Sequence, residues 1–323
     1  MQNTPHINAS KHAPRVRVDL THLQGMQRFA RLISFLPKQP ARSVLNGKNA
    51  SKLRGRGLNF EELRHYHKGD DVRTIDWKVT ARTKQPHVRV YTEERDRATL
   101  LLVDQRMSMF FGSVLNMKSV TAAETAAIAA SSIRMQGDRV GGIVFSDDSV
   151  AELTPKASQL ALNRFMSALA NANCQLSPEY QTSLQAKCTA TVSLNTVLQT
   201  AVSVAKTGMM IQIFSDFHDL NDQSEILLRR LSAHNDVLLF HVSDPVSNAL
   251  PGNFKFVASN GDLQVTLDAS RQATKDHIHH IANTRVTRLA ALARKYGVVV
   301  LPLTSAKTTE QQVLRLLSPE QQK

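Results

Sequence analysis

Residues 99–108 read Thr-Leu-Leu-Leu-Val-Asp-Gln-Arg-Met-Ser. Four consecutive apolar residues, with no polar residue alternating between them, suit a strand covered on both faces, and such strands belong to parallel sheets. The run ends in a carboxylate, Asp104. Met209–Phe214 repeats the pattern and is followed by Asp216. Val140–Phe145, Val237–Val242 and Val298–Leu303 are further apolar runs of strand length. Between them lie stretches with helical spacing: Asn116 is placed to cap a helix carrying Val120, Ala123, Ala127, Ile128 and Ile133, which Gln136-Gly137-Asp138 stops. Ser158–Ala170, Leu194–Lys206, Ser224–Ala233, Gln272–Tyr296 and Thr309–Leu317 are the other predicted helices, with Asn171–Ser183 as loop. Val150–Leu153 is predicted to pair with Val140–Phe145, and Phe254–Ala258 with Leu263–Leu267 across Ser259-Asn-Gly-Asp262, because Asn-Gly supplies the positive φ of a tight turn. This alternation predicts an α/β fold, a mostly parallel sheet with helices on both faces.

The 323 residues exceed one minimal domain, at roughly 100–200 residues each, and predict one large domain with an attached module. The apolar runs fall far short of the ~20 residues of a membrane span, and the polar N-terminus has no secretory signal. Cys174 and Cys188 offer neither a disulfide framework nor zinc-ligand spacing, which suits free thiols in a reducing cytoplasm. The net charge of +13 is unevenly placed: residues 1–97 hold 20 of the 40 Lys and Arg but only 9 of the 27 Asp and Glu. A basic region of this kind suits nucleic acid, anionic headgroups or an acidic protein surface. Its aromatic residues, Phe29, Phe35, Phe60, Tyr66, Trp77 and Tyr91, lack the interleaving of a base-stacking platform.

Residues 1–44 are expected to be a basic segment whose Leu23, Met26, Phe29, Ala30 and Ile33 mark one amphipathic helix over Leu23–Leu36. Residues 45–97 alternate turn signals with short strands and read as a β-rich module, and residues 98–323 as the α/β domain. The module carries Arg54-Gly-Arg-Gly-Leu-Asn-Phe60, then Tyr66-His-Lys-Gly-Asp-Asp-Val-Arg-Thr-Ile-Asp-Trp77, Ala81-Arg82 and Glu93-Glu94. Gly69-Asp70-Asp71 has the look of a polymerase metal motif, but with Arg73 and Asp76 beside it a turn with local carboxylate–guanidinium pairing is expected. Trp77 is expected to pack its ring against the sheet domain, and Arg82, Glu93 and Glu94 to form ion pairs tying the module to it.

This signature resembles the DUF58 family, whose pattern contains Gly-x-Gly-x-x-Phe, Tyr-x-x-Gly-Asp-Asp-x-Arg-x-Ile-Asp-Trp, an Ala-Arg pair and a downstream Glu-Glu. The elements stand here as Gly55, Gly57, Phe60; Tyr66, Gly69, Asp70, Asp71, Arg73, Ile75, Asp76, Trp77; Ala81, Arg82; and Glu93, Glu94. The resemblance continues through Gly137-Asp-Arg-Val-Gly141 and Phe214-Ser-Asp-Phe217. It implies a von Willebrand factor A-like domain and a partnership with a MoxR-type AAA+ ATPase, as adaptor or maturation factor, with the ATPase's clients as further partners.

The resemblance also implies a cation site at the carboxyl ends of the strands, built in such domains from Asp-x-Ser-x-Ser, a Thr from a second loop and an Asp from a third. Hydroxyl and carboxylate oxygens suit Mg²⁺, and that edge is where open α/β sheets bind ligands. Asp104 and Ser108 match, Asp216 matches the third-loop Asp, and Thr191 and Ser193 stand near the Thr position. Arg106 replaces the middle Ser. Its fixed charge can pair with Asp104 or Asp216, so a degenerate, metal-free site is expected, with the arginine standing in for the ion and no cofactor.

His277, His279 and His280 read as a solvated helix face. No Gly-x-Ser-x-Gly elbow, Walker loop, dinucleotide fingerprint or His-Glu-x-x-His is present, and nothing pairs a nucleophile with a base. The expectation is a non-enzymatic, cytoplasmic interaction protein that binds an AAA+ ATPase through residues that include Arg54 and Arg56. Nucleic-acid binding by residues 1–97 is the disfavoured alternative.

Overall fold

The apolar run 99–103 forms the middle of a sheet whose strands are buried on both faces. The computed structural model of the chain describes residues 14–33, 58–93, 97–176, 191–247, 255–259, 264–268 and 272–317. Arg54, Arg56, Glu94, Cys188, the Asn-Gly turn and the end of the predicted loop 171–183 lie outside these residues, and so does the side chain of Glu93. In chain order the elements are α1 (Leu20–Gly25), β1 (Leu58–His65), α2 (Trp77–Thr83), β2 (His87–Glu93), β3 (Ala98–Asp104), α3 (Lys118–Met135), β4 (Arg139–Phe145) and β5 (Val150–Lys156). Then follow α4 (Gln159–Gln175), α5 (Leu194–Val204), β6 (Met210–Ser215), α6 (Asp222–Ser232), β7 (Asp236–Ser243), β8 (Lys255–Ser259), β9 (Gln264–Asp268), α7 (Gln272–Tyr296), β10 (Val299–Thr304) and α8 (Thr309–Leu317).

The chain forms two units, Met1–Phe35 with Arg97–Lys323, and Leu36–Asp96. In the larger unit a six-stranded sheet has the order β10-β7-β6-β3-β4-β5, parallel except for the antiparallel edge pair β4–β5. Strand alternation sorts the side chains to two cores. Leu101, Val103, Val144, Phe214, Phe240 and Val242 face one, with residues of α1, α3, α4 and α8. Leu100, Leu102, Ile143, Phe145, Ile211, Ile213 and Leu239 face the other, with residues of α5, α6 and α7. The mixed α/β architecture thus agrees with the pattern of the sequence. β8 and β9 pair antiparallel, as expected, and form a two-stranded sheet.

Helix α3 is buried on every side from Lys118 to Ile133. Its Ala, Ser and Thr residues allow close approach by the sheet, by α4 and by the N-terminal segment. Close approach also fixes Gly141 and Gly142 in β4. A Cβ at Gly142 would lie 2.5 Å from the Phe165 ring of α4, and one at Gly141 would lie 2.4 Å from the Leu153 carbonyl oxygen.

Several local expectations are corrected. The amphipathic segment 23–36 is not one helix: α1 gives way to a 3-10 helix, Met26–Leu32, although Leu23, Met26, Ala30 and Ile33 are buried as their spacing predicts. Asp19 caps α1, accepting from the His22 N–H at 2.7 Å. Asn116 does not cap α3. Met117 occupies that position without a side-chain bond, and the Asn116 N–H donates to the Ser305 carbonyl at 2.9 Å. Helix α4 runs to Gln175, past the predicted start of the loop, because Asn173 is buried there and its Oδ1 accepts the Val18 N–H at 2.8 Å. The N-terminal segment is therefore stitched into the larger unit.

The smaller unit is an antiparallel pair, β1–β2, with a 3-10 turn (Val72–Thr74) and α2 in the connection. Asp76 caps α2, accepting from the N–H groups of Lys78 and Val79. No described residue of its own unit covers Trp77, which is 68% exposed. The expected carboxylate–guanidinium pairing occurs, but with other arginines. Arg64 grips Asp70 through two bonds of 2.8 Å, and Arg89 holds Asp76 at 2.7 Å. Arg73 is exposed. Asp71 accepts from the Arg73 backbone N–H instead.

Candidate functional site

Parallel strands deliver the residues after each strand to one edge of the sheet, and here nearly every such turn carries a carboxylate. Asp104 ends β3, Asp147 follows β4, Asp216 follows β6 and Asp244 follows β7. Asp104, Asp216 and Asp244 are at most 2% exposed. A buried carboxylate needs a cation or several donors, and each of these has them.

Arg106, 3% exposed, is the centre of the arrangement. Its Nε donates to Asp104 Oδ1 at 3.0 Å and its Nη2 to Asp104 Oδ2 at 2.7 Å, a bidentate fork. The same guanidinium reaches Asp219 Oδ2 through Nη1 at 2.7 Å and Oδ1 through Nη2 at 3.1 Å. Ser215 Oγ adds a bond to Asp104 Oδ2 at 2.6 Å, and the Phe145 ring lies 5.3 Å from the guanidinium carbon. Burial opposes the guanidinium charge, but Asp104 and Asp219 outweigh burial and raise the pKa of Arg106 further.

Asp216 has a different counter-ion. Lys118 Nζ, at the first turn of α3, donates to Asp216 Oδ2 at 2.6 Å, and His218 Nδ1 lies 3.4 Å from Oδ1. Burial alone would raise the Asp216 pKa, but Lys118 and His218 hold it far below the carboxylate range. His218 also approaches Asp219 at 3.7 Å. Burial lowers its pKa, while the bond to Asp216 and the charges of Asp216 and Asp219 raise it by more. Charges therefore alternate along the edge: Asp104, Arg106, Asp219, His218, Asp216, Lys118.

Beside this row, Asp147 accepts the Met107 N–H at 2.7 Å, and burial raises its pKa. Asp244 accepts from Ser113 N–H at 2.9 Å, from Ser113 Oγ at 2.5 Å and from Ser305 Oγ. These bonds outweigh burial and lower its pKa.

The sequence placed Asp104, Arg106, Ser108 and Asp216 at this edge, and all four are there. Arg106 pairs with Asp104 but not with Asp216; its second carboxylate is Asp219. Ser108 Oγ is buried without a hydrogen-bond partner among the described residues. Thr191 is exposed, and Ser193 caps α5 by accepting the Thr196 N–H at 3.2 Å. Asp147, Asp219, Asp244, Lys118 and His218 escaped the sequence reading. A carboxylate within two residues of each strand end was a usable signal for Asp147 and Asp244. Nothing local marks Lys118.

The donor set does not suit a dication. Both Asp104 oxygens face the guanidinium, and Asp216 faces an ammonium, so a metal ion would have to displace two fixed cations. No cluster of three or more His, Cys, Asp or Glu able to hold a metal occurs among the described residues. His279 and His280 are exposed on α7, with His279 Nδ1 bonded to Asn283 Nδ2 at 2.8 Å.

In the smaller unit, Arg64 and the His67 N–H lower the Asp70 pKa to about 2, and Arg89 lowers that of Asp76. Arg82 is exposed and makes no ion pair among the described residues.

A family model described as "Protein of unknown function DUF58" matches residues 62–288. Relatives from Mycobacterium bovis and Mycobacterium tuberculosis, named uncharacterized proteins, are 26% identical over 290 residues, spanning 89% of this chain and 87% of their own. Among solved structures, the conserved hypothetical protein BatB from Bacteroides thetaiotaomicron aligns with a TM-score of 0.40 at 9% identity, over 68% of this chain and 96% of its own. No helix among the described residues is long and apolar enough to cross a membrane.

Proposed function

The chain belongs to the DUF58 family, and from that premise we propose that it is a non-enzymatic, metal-independent interaction protein, acting in the cytoplasm as adaptor or maturation partner of a MoxR-type AAA+ ATPase. The observation that carries the non-enzymatic part is the Arg106 fork. At the edge where an α/β sheet ordinarily holds its ligand, the carboxylates are neutralised from within. Asp104 and Asp216 are engaged by Arg106 and Lys118, so neither is available as a general base or metal ligand without breaking a buried ion pair. Ser215, which bonds Asp104, has no histidine partner among the described residues, so a hydroxyl nucleophile with its base is not assembled among them.

The ATPase as partner comes from the family resemblance of the signature residues. The von Willebrand A-like description of the sheet domain and the name degenerate cation site belong to the same proposal. The test is calorimetric titration of the full chain with the purified MoxR-type ATPase of the same organism, with and without ATP and with EDTA present. Saturable binding that survives EDTA is the expected result. Binding only with Mg²⁺ on the adaptor side, or none in any nucleotide state, would overturn the reading.

A further inference from the structure

The smaller unit leaves its largest aromatic side chain uncovered by its own described residues. Trp77, the chain's single tryptophan, is 68% exposed, and Val72 in the preceding 3-10 turn is 59% exposed. A tryptophan is ordinarily well buried on average, so this degree of exposure calls for a physical reason.

Helix α2 supplies one. It is held to the hairpin by one side. Thr80 Oγ1 accepts the His87 N–H at 3.1 Å, and Thr83 Oγ1 bonds His87 Nδ1 at 3.1 Å. At about 100° per residue, Val79, Thr80 and Thr83 share that side. Trp77, Ala81, Lys78 and Arg82 then form the contiguous opposite arc, and all four are exposed. On that arc the indole lies next to Ala81, with Lys78 and Arg82 beyond it.

The charges of this segment are sorted as well. Its buried or half-buried carboxylates are bound internally, Asp70 by Arg64 and Asp76 by Arg89, and Asp71 caps the 3-10 turn. Lys68, Arg73, Lys78, Arg82 and Lys84 are exposed and have no ion-pair partner among the described residues. Among the described side chains of residues 63–89, these five cations stand against one exposed carboxylate, Asp71, so the stretch presents net positive charge.

We propose that the arc Trp77–Lys78–Ala81–Arg82, with Val72 and Arg73, is a docking surface for an acidic protein segment that offers an apolar pocket to the indole. Charge complementarity selects an acidic occupant. Protein is favoured over single-stranded nucleic acid because a stacking platform uses successive aromatic faces, and this arc has one ring beside aliphatic Ala81. A buried Trp flanked by Arg is the usual composition of an interface hot spot. The inference rests on the reading of the chain as an ATPase partner and assigns that partner's contact to this surface.

The single tryptophan makes the test direct. The purified MoxR-type ATPase is titrated into the full chain, with binding followed by calorimetry and Trp77 emission followed in parallel, using an ATPase variant whose own tryptophans are replaced by phenylalanine. The expected result is a saturable blue shift at the calorimetric stoichiometry. Trp77→Ala should weaken binding about thirtyfold, and Lys78→Glu with Arg82→Glu should slow association and remove most of its salt dependence, with melting temperatures unchanged. Calorimetric binding with no emission change and full affinity in Trp77→Ala would overturn this surface while leaving the ATPase partnership intact. Absence of binding by calorimetry would overturn the partnership and the surface together. A blue shift given by an oligonucleotide or by anionic phosphatidylserine vesicles at the same salt, and not by the ATPase, would also overturn the proposal.

Discussion

Replacing Arg106 by Ser removes the one cation that faces Asp104 among the described residues. The carboxylate is fully buried and would keep only the Ser215 hydroxyl and the residue-106 backbone N–H, now at 2.6 and 3.1 Å, as donors. Deleting one partner of a buried pair costs about 3–5 kcal/mol. Asp219, whose side chain is 26% exposed, regains part of its hydration, which places the expected cost near the lower end, about 3 kcal/mol. At about 2–4 °C per kcal/mol for a domain of this size class, Tm should fall by roughly 6–12 °C. The variant should also acquire a response to Mg²⁺, worth about 1.4 kcal/mol at a tenfold excess over Kd, whereas the unmodified chain should show none at millimolar metal. Thermal melts followed by circular dichroism, with and without Mg²⁺, measure both effects. A Tm loss below about 2 °C, or Mg²⁺ stabilisation of the unmodified chain, would refute the view that Arg106 is the resident cation of this edge.

The Lys118–Asp216 pair gives a parallel expectation: Lys118→Met should cost about 3–5 kcal/mol, and adding Asp216→Asn should recover a substantial part, so additivity in a urea double-mutant cycle would refute the coupling. His241, with its pKa lowered from 6.5 to about 4 by burial and by the charge of Arg285, should make the fold acid-sensitive. The unfolded chain takes up this proton near the higher value and the folded chain only near the lower, so about 3 kcal/mol should be lost as pH falls through that window; His241→Gln should flatten the slope in urea titrations at successive pH values. His22 acts in the opposite sense. Its bond to Glu124 raises its pKa above 6.5, so its contribution is complete below that pH and is lost as pH rises through the raised value, and His22→Ala should remove this alkaline loss. Gly142→Ala places a methyl group 2.5 Å from the Phe165 ring and 2.8 Å from the Leu101 carbonyl oxygen, and should cost about 1–3 kcal/mol in a thermal melt.

The elements legible in the sequence were those set by neighbours along the chain. The runs Leu100–Val103 and Met209–Phe214 read as strands buried on both faces, and the helices predicted between them imply a mostly parallel sheet. The errors arose where a distant partner overrode a local preference. Asn116 is a good cap residue, but its N–H is taken by Ser305, and α4 continues into the predicted loop because Asn173 bonds the backbone of Val18.

The sequence by itself placed Asp104 and Asp216 at the edge, with Arg106 two residues after Asp104, because a strand's last residue and the turn after it follow from the apolar run that precedes them. Only the tertiary structure decided which cation meets which carboxylate. Arg106 finds Asp219, 113 positions away, and Lys118 finds Asp216, 98 positions away. Coulomb attraction in a poorly hydrated interior falls with distance in space and is indifferent to distance along the chain. The pairing was therefore set by the parallel register of β3 beside β6 and by the start of α3 beneath that edge.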